Sequence, residues 1–216
     1  TTWTSGTSGT SNYLAGVTYG NSTFVTVGES GIILTSTDAT TWTSRTSGIS
    51  KWIDAPIYKN STFMTIGQDG VILTSTDGTT WTSRTSGTSN DFYDVTYGNS
   101  TFVAVGDSGQ IFTSSDGTSW DNRTSGTTND LTGVDYGNST FVAVGMNGTI
   151  LSSADGITWT SRTSGTTVGF TGFDYGNSIF VAVGFSGLIS TSTDGITWTA
   201  RTSGTSIQLT GVDYKE

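Results

Sequence analysis

The sequence contains no cysteine, no histidine and one proline, and its 216 residues carry only eight Lys and Arg against seventeen Asp and Glu. Each shortage excludes something. Without Cys or His there is no thiolate nucleophile, no imidazole base, no disulfide and no zinc site of the usual nitrogen–sulfur kind. A net charge of −9 argues against nucleic-acid binding, which needs a basic stripe to meet phosphates. No apolar run approaches the roughly 18 residues of a membrane-spanning helix, so no membrane insertion is expected. No metal or cofactor is expected either.

What is present is a repeat. Trp occurs at 3, 42, 81, 120, 159 and 198, Tyr at 19, 58, 97, 136, 175 and 214, and Asp at 38, 77, 116, 155 and 194, each in steps of 39. All five Arg fall on one repeat position, at 45, 84, 123, 162 and 201. The chain is rich in Thr, Ser and Gly, but 12% aromatics held in strict register point to a folded chain, not a disordered one. Repeat units cover about 10–48, 49–87, 88–126, 127–165 and 166–204, with 1–9 and 205–216 left as terminal closing or surplus strands of one 1–216 domain.

Within the third unit four short runs read as strands: Asp91–Tyr97, Thr101–Gly106, Gln110–Ser115 and Thr118–Ser125. They are bounded by Gly98-Asn99, Asp107-Ser108-Gly109 and Asp116-Gly117, residue types that tolerate positive φ. No helical periodicity appears. The unit is a four-stranded antiparallel meander whose strands we letter A to D. Runs such as Phe141-Val142-Ala143-Val144 are apolar on both parities and need cover on both faces, which stacked copies supply. The fold expected is an all-β β-propeller, most simply with five blades; six, one incomplete, is the alternative. Thr1–Gly9 could clasp the ring as an outer strand.

The third-to-fourth turn reads Ser-Thr-Asp-Gly-Thr-Thr-Trp at Ser75–Trp81 and recurs at Ser36–Trp42, Ser114–Trp120, Ser153–Trp159 and Ser192–Trp198. This resembles a shortened Asp-box (BNR repeat) of sialidase-type and photosystem II assembly factor-like propellers. The resemblance implies a structural role for Asp38, Trp42, Asp77, Trp81, Asp116, Trp120, Asp155, Trp159, Asp194 and Trp198: the Asp closes the hairpin and the Trp packs between blades. It does not carry over the sialidase active site. The Arg share one repeat position and cannot converge as a triad, and Glu occurs only at 29 and 216. Glu29, Asp69 and Asp107 are carboxylates that nothing pairs as acid and base. No enzymatic activity is expected.

The copies differ from one another on one face. The B–C turn varies through Glu29, Gln68, Asp107, Met146 and Phe185. The D–A loop varies through Asn12-Tyr13, Lys51-Trp52, Asn90-Asp91, Asn129-Asp130, Val168-Gly169 and Ile207-Gln208. In a meander these loops share a face, so Glu29, Lys51, Trp52, Gln68, Asp91, Asp107, Met146 and Phe185 form a candidate ligand site. Unconstrained drift of loop tips would give the same pattern. Asn21, Asn60, Asn99, Asn122, Asn138 and Asn147 match the N-glycosylation pattern, although most also sit where a turn wants Asn.

The function expected is a non-enzymatic extracellular or surface-exposed binding module, taking a glycan or protein through the variable face. One alternative is a structural subunit of a filament, sheath or virion, contacting copies of itself through surplus strands. Another, implied by the resemblance, is an assembly-factor-like scaffold.

Overall fold

The computed structural model describes residues 6–214. They form five four-stranded antiparallel sheets, each a meander in chain order. The first sheet holds β1 (Leu14–Gly20), β2 (Thr23–Gly28), β3 (Ile33–Ser36) and β4 (Thr43–Arg45); the second β5 (Ile53–Lys59), β6 (Thr62–Gly67), β7 (Ile72–Ser75) and β8 (Thr82–Arg84). The third holds β9 (Phe92–Gly98), β10 (Thr101–Gly106), β11 (Ile111–Ser114) and β12 (Asp121–Arg123); the fourth β13 (Leu131–Gly137), β14 (Thr140–Gly145), β15 (Ile150–Ser153) and β16 (Thr160–Ser161). The fifth holds β17 (Phe170–Gly176), β18 (Ile179–Gly184), β19 (Ile189–Ser192) and β20 (Thr199–Arg201). The chain divides into two compact units, Thr1–Asp91 with the first two sheets and Phe92–Glu216 with the other three. The clasp expected of Thr1–Gly9 falls largely on residues 1–5, outside the described residues; Gly6–Gly9 lie in no strand.

Strands A, C and D of the third sheet differ from the expected runs by one to three residues at their ends, and two of these differences have a visible cause. The A–B turn centres on Asn99-Ser100 (φ 45° and 58°), not on Gly98-Asn99. Gly98 stays in β9 because the ring of Tyr136 lies directly over it, where no Cβ fits. Tyr58 covers Gly20 in the first unit, and Tyr175 covers Gly137 in the second. Strand D is shorter than expected, β12 being Asp121–Arg123. Residues before it are consumed by the turn: the Asp116 carboxylate accepts the Thr118 and Ser119 N–H groups at 2.8 and 3.0 Å.

Each unit has its own core. In the first, Val25, Val27 and Ile33 meet Ile53, Phe63 and Leu73, with Trp81 half-buried against them. In the second, Trp159 and Trp198 pack in the same way on the clusters around Phe141 and Phe180. Thus Trp81, Trp159 and Trp198 each seal neighbouring sheets within a unit with their apolar area.

Candidate functional site

The turn carboxylates are hydrogen-bonded within their own turns. Asp38 accepts the Thr40 and Thr41 N–H groups at 2.8 and 2.7 Å and the Ser36 hydroxyl at 2.9 Å. The same set recurs at Asp77 and Asp155. At Asp194, hydrogen bonds led by the Thr197 N–H hold the carboxyl down at about 2. Each Arg is likewise local: its Nε donates to a Thr or Ser hydroxyl on the adjacent strand, as from Arg84 to Thr74 at 2.8 Å and from Arg162 to Ser152 at 2.7 Å.

Every B–C turn is a short 3-10 turn whose central residue sits in the left-handed region: Ser30, Asp69, Ser108, Asn147 and Ser186, φ 54° to 57°. The residue before it varies, but its backbone is fixed. The N–H of Glu29, Gln68, Met146 and Phe185 donates to the carbonyls of Tyr13, Trp52, Asp130 and Gly169 at 2.9 to 3.2 Å. The turn therefore holds the start of strand A in the same repeat and presents a side chain beside it.

In the first unit several candidate residues come together. Lys51 forms an ion pair with Asp69, both half-exposed, and Asp91 accepts the Asp69 N–H at 2.8 Å. The Tyr13 and Trp52 rings lie 6.2 Å apart, and Tyr13 is 73% exposed. Trp52 is half-buried and its indole is hydrogen-bonded to Asp54, whose own carboxyl is raised by burial. Glu29 and Gln68 lie alongside, but each already spends an oxygen on a backbone N–H, of Tyr13 at 3.2 Å and Trp52 at 3.1 Å. Tyr13 and Asp69 are the members that the sequence argument did not place in the site. Tyr13 occupies the repeat position of Trp52, which is the signal that could have found it.

In the second unit Met146 and Phe185 converge over Gly169: a Cβ there would lie 2.9 Å from Met146 Sδ and 3.4 Å from Phe185 Cδ2. Phe185 is 38% exposed. Asp107 accepts a hydrogen bond from the Tyr93 hydroxyl, so it is engaged within its own sheet. Among the described residues no three Asp or Glu side chains gather as a metal site, and no helix is long and apolar enough to cross a membrane.

Five of the six Asn residues of the glycosylation pattern sit in turns. Asn21, Asn60, Asn99, Asn138 and Asn147 all adopt positive φ. The Asn138 amide donates to the Thr193 carbonyl at 3.1 Å, and that of Asn147 to Asn129 Oδ1 at 2.9 Å. Asn122 lies on β12.

Comparison with known proteins adds the fold. No family model matches the chain, and no curated protein matches it. Among solved structures it is similar to YCF48 bound to D1 peptide, at 21% identity and TM-score 0.66, covering 85% of this chain and 64% of that one. It is also similar to the computationally designed Ika8 protein (14%, TM-score 0.76, 94% and 65%) and to YCF48 from Cyanidioschyzon merolae (18%, TM-score 0.65, 90% and 74%). The chain spans just under two thirds of the first two. The five four-stranded sheets and these neighbours define a five-bladed β-propeller fold.

Proposed function

We propose that the chain is a non-enzymatic propeller module that binds a protein through the variable face of its first unit. The observation that carries this reading is the Tyr13–Trp52 aromatic pair, 6.2 Å apart, set beside the Lys51–Asp69 ion pair. Aromatic side chains offer contact area at low entropic cost, and a half-exposed ion pair beside them supplies charge for orientation. A bound peptide in the similar YCF48 structure supports a polypeptide partner. A glycan is the weaker ligand here, because Glu29 and Gln68, the acceptors that sugar hydroxyls would want, are already committed to backbone N–H groups. The Glu29 carboxylate is likewise engaged by a backbone N–H, and we assign no catalysis. An assembly-factor-like scaffold would use this same face on a protein partner. A surface rich in Thr and Ser and poor in Lys suits an extracellular or surface-exposed setting.

The test is to pan a displayed peptide library and to probe a glycan array with the same protein. Peptides whose binding falls about tenfold or more in Trp52→Ala and Tyr13→Ser, with the melting temperature of the first unit retained, support the reading; a fully lost aromatic anchor costs about that much or more. Glycan hits alone, or peptides indifferent to both substitutions, would overturn it.

A further inference from the structure

A polar cavity recurs along the third and fourth strands of the sheets. In the first unit Thr35, Asp38, Thr43 and Arg45 line one side of it, and Thr79 from the next sheet lines the other. In the second unit Ser152, Asp155, Thr160 and Arg162 do the same, with Ile196 from the next sheet. All nine residues lining the first cavity have their counterparts, three repeats further along the chain, lining the second. The volumes are about 290 and about 310 Å³, at the lower end of the range for small-molecule sites. A glycine brings the next sheet's turn over each groove. A Cβ on Gly78 would lie 3.4 Å from Val25 Cγ2, and one on Gly195 would lie 2.7 Å from Val142 Cγ2. That approach delivers the following residue, Thr79 or Ile196, to the groove.

The sheet itself sets the polar groups of both grooves. Arg45 Nε donates to the Thr35 hydroxyl at 2.8 Å, and Arg162 Nε to the Ser152 hydroxyl at 2.7 Å. Each bond orients a guanidinium and leaves its two Nη groups as donors. The turn N–H groups fall on Oδ1 of the carboxylate, at 2.8 and 2.7 Å for Asp38 and at 2.8 Å twice for Asp155. Oδ2 remains as an acceptor. Those N–H groups, led by that of Thr41 at Asp38 and of Thr158 at Asp155, hold both carboxyls below the usual carboxylate range, so each is charged at neutral pH. The ion pairs among the described residues are Lys51–Asp69 and Arg123–Asp121; in these two grooves carboxylate and guanidinium stand apart. Thr43 and Thr160, both exposed, add a hydroxyl to each.

We propose that each of these grooves binds a neutral sugar, one pyranose ring per groove. Charge decides against an anion: one guanidinium and one carboxylate cancel within the groove, and the whole chain carries −9. Adjacent sugar hydroxyls can accept from an Nη group and donate to Oδ2, which satisfies both ends of the groove at once. The two walls then set a difference in affinity. Ile196, 48% exposed, offers apolar surface to the C–H face of the ring, where Thr79 offers a hydroxyl, so the second-unit groove is the tighter. The grooves use the C–D turns and the C and D strands, not the B–C turns, so this reading and the peptide reading stand or fall separately.

The probes are methyl α-mannopyranoside, methyl β-galactopyranoside and methyl β-N-acetylglucosaminide, with methyl β-glucuronide as the anionic contrast. Each is titrated into the full 216-residue protein labelled with heavy nitrogen, and proton–nitrogen correlation spectra follow the Nε–H signals of Arg45 and Arg162. Saturable shifts of both signals with at least one neutral sugar, and weaker ones with the glucuronide, are expected. Thr160→Val removes one hydroxyl and should weaken the Arg162 response about fivefold, the loss of one hydrogen bond, with the Arg45 response unchanged. Thr43→Val should do the reverse, so each variant carries the other groove as its control. Ile196→Thr, which copies the residue found at position 79, should weaken the Arg162 response alone. Trp52→Ala should leave both unchanged. No saturable shift at either arginine up to about 0.1 M neutral sugar, where a Kd of about 10 mM would be evident, would overturn the proposal. So would tighter binding of the glucuronide, or variants that fold and yet respond as the parent does.

Discussion

Substituting Gly137 by Ala isolates the contact that stacks one inner strand on the next. The backbone there is not in the left-handed region, so alanine brings no φ penalty. Its cost comes from packing alone. A Cβ at 137 would lie more than an ångström inside ordinary contact with three ring carbons of Tyr175. The ring cannot retreat freely, because it packs on Phe180 at a centroid distance of 4.5 Å and on the cluster of Val142, Val144 and Phe170. Overpacking of a stiff ring against a filled core costs about 3 kcal/mol. Alanine returns up to about 1 kcal/mol through the lower chain entropy of the unfolded state. The net loss is about 2 kcal/mol, or roughly 4–8 °C in melting temperature for a domain of this size. Gly211→Ala is the matched control: it has the same residue change and open space around the new atom, and it should not melt lower than the parent. Thermal unfolding by near-ultraviolet circular dichroism reads both. In a Tyr175→Leu background the Gly137→Ala cost should shrink by about 1–2 kcal/mol, the coupling expected of residues in direct contact. If Gly137→Ala and Gly211→Ala melt together, the ring does not need that glycine and the stacking argument fails.

Two further predictions concern pH. The turn carboxyl of Asp194, held at about 2 by the Thr197 and Ile196 N–H groups, is depressed below its unfolded value. Its contribution to stability is therefore full above about pH 4 and fades as pH falls toward 2; a melting-temperature series on the protein and Asp194→Asn should converge over that interval and separate above it. Asp174 behaves oppositely: burial first, and the nearby Asp135 and Asp213 charges after it, push its carboxyl up. Its charged form therefore opposes folding above the folded-state value, and Asp174→Asn, whose carbonyl can still accept the Tyr214 N–H, should raise the melting temperature at pH 7 but not at pH 4.

The period of 39 exposed the sheet count, the strand order and the turn scaffold because each depends on spacing and residue type. Asp-Gly with a Trp three residues after the Gly is enough to place Asp77, the Thr79 and Thr80 N–H groups that donate to it, and Trp81. Spacing did not reveal which neighbour sits on which glycine. Gly98 reads as a turn residue in one dimension, and only the overlying Tyr136 ring explains why it belongs to the strand. The variable face was legible as a place, since copies differ there, but not as chemistry. Glu29 and Gln68 look like free ligand groups in the sequence, and the structure spends each on the backbone N–H that starts its own sheet. Side-chain direction in a three-residue turn depends on that local bond, which no pattern of residue types encodes.

The sheet-to-sheet bonds explain where such a repeat can acquire a distinct role. Thr132 to Phe170, Val134 to Asp94 and Tyr175 to Asp135 join residues 38 to 40 apart, so each interior inner strand of the second unit is fixed both by its own sheet and by its neighbours. Substitution at those positions must satisfy several partners at once. The B–C turns escape that constraint. At the B–C turns the backbone N–H does the joining and the side chain is left to vary, which is how Glu29, Gln68, Met146 and Phe185 can occupy one structural position. Recognition is cheapest for a scaffold of this kind where its own repeat makes the fewest demands on a side chain, and the B–C turns, fixed through their backbone, come nearest to that condition.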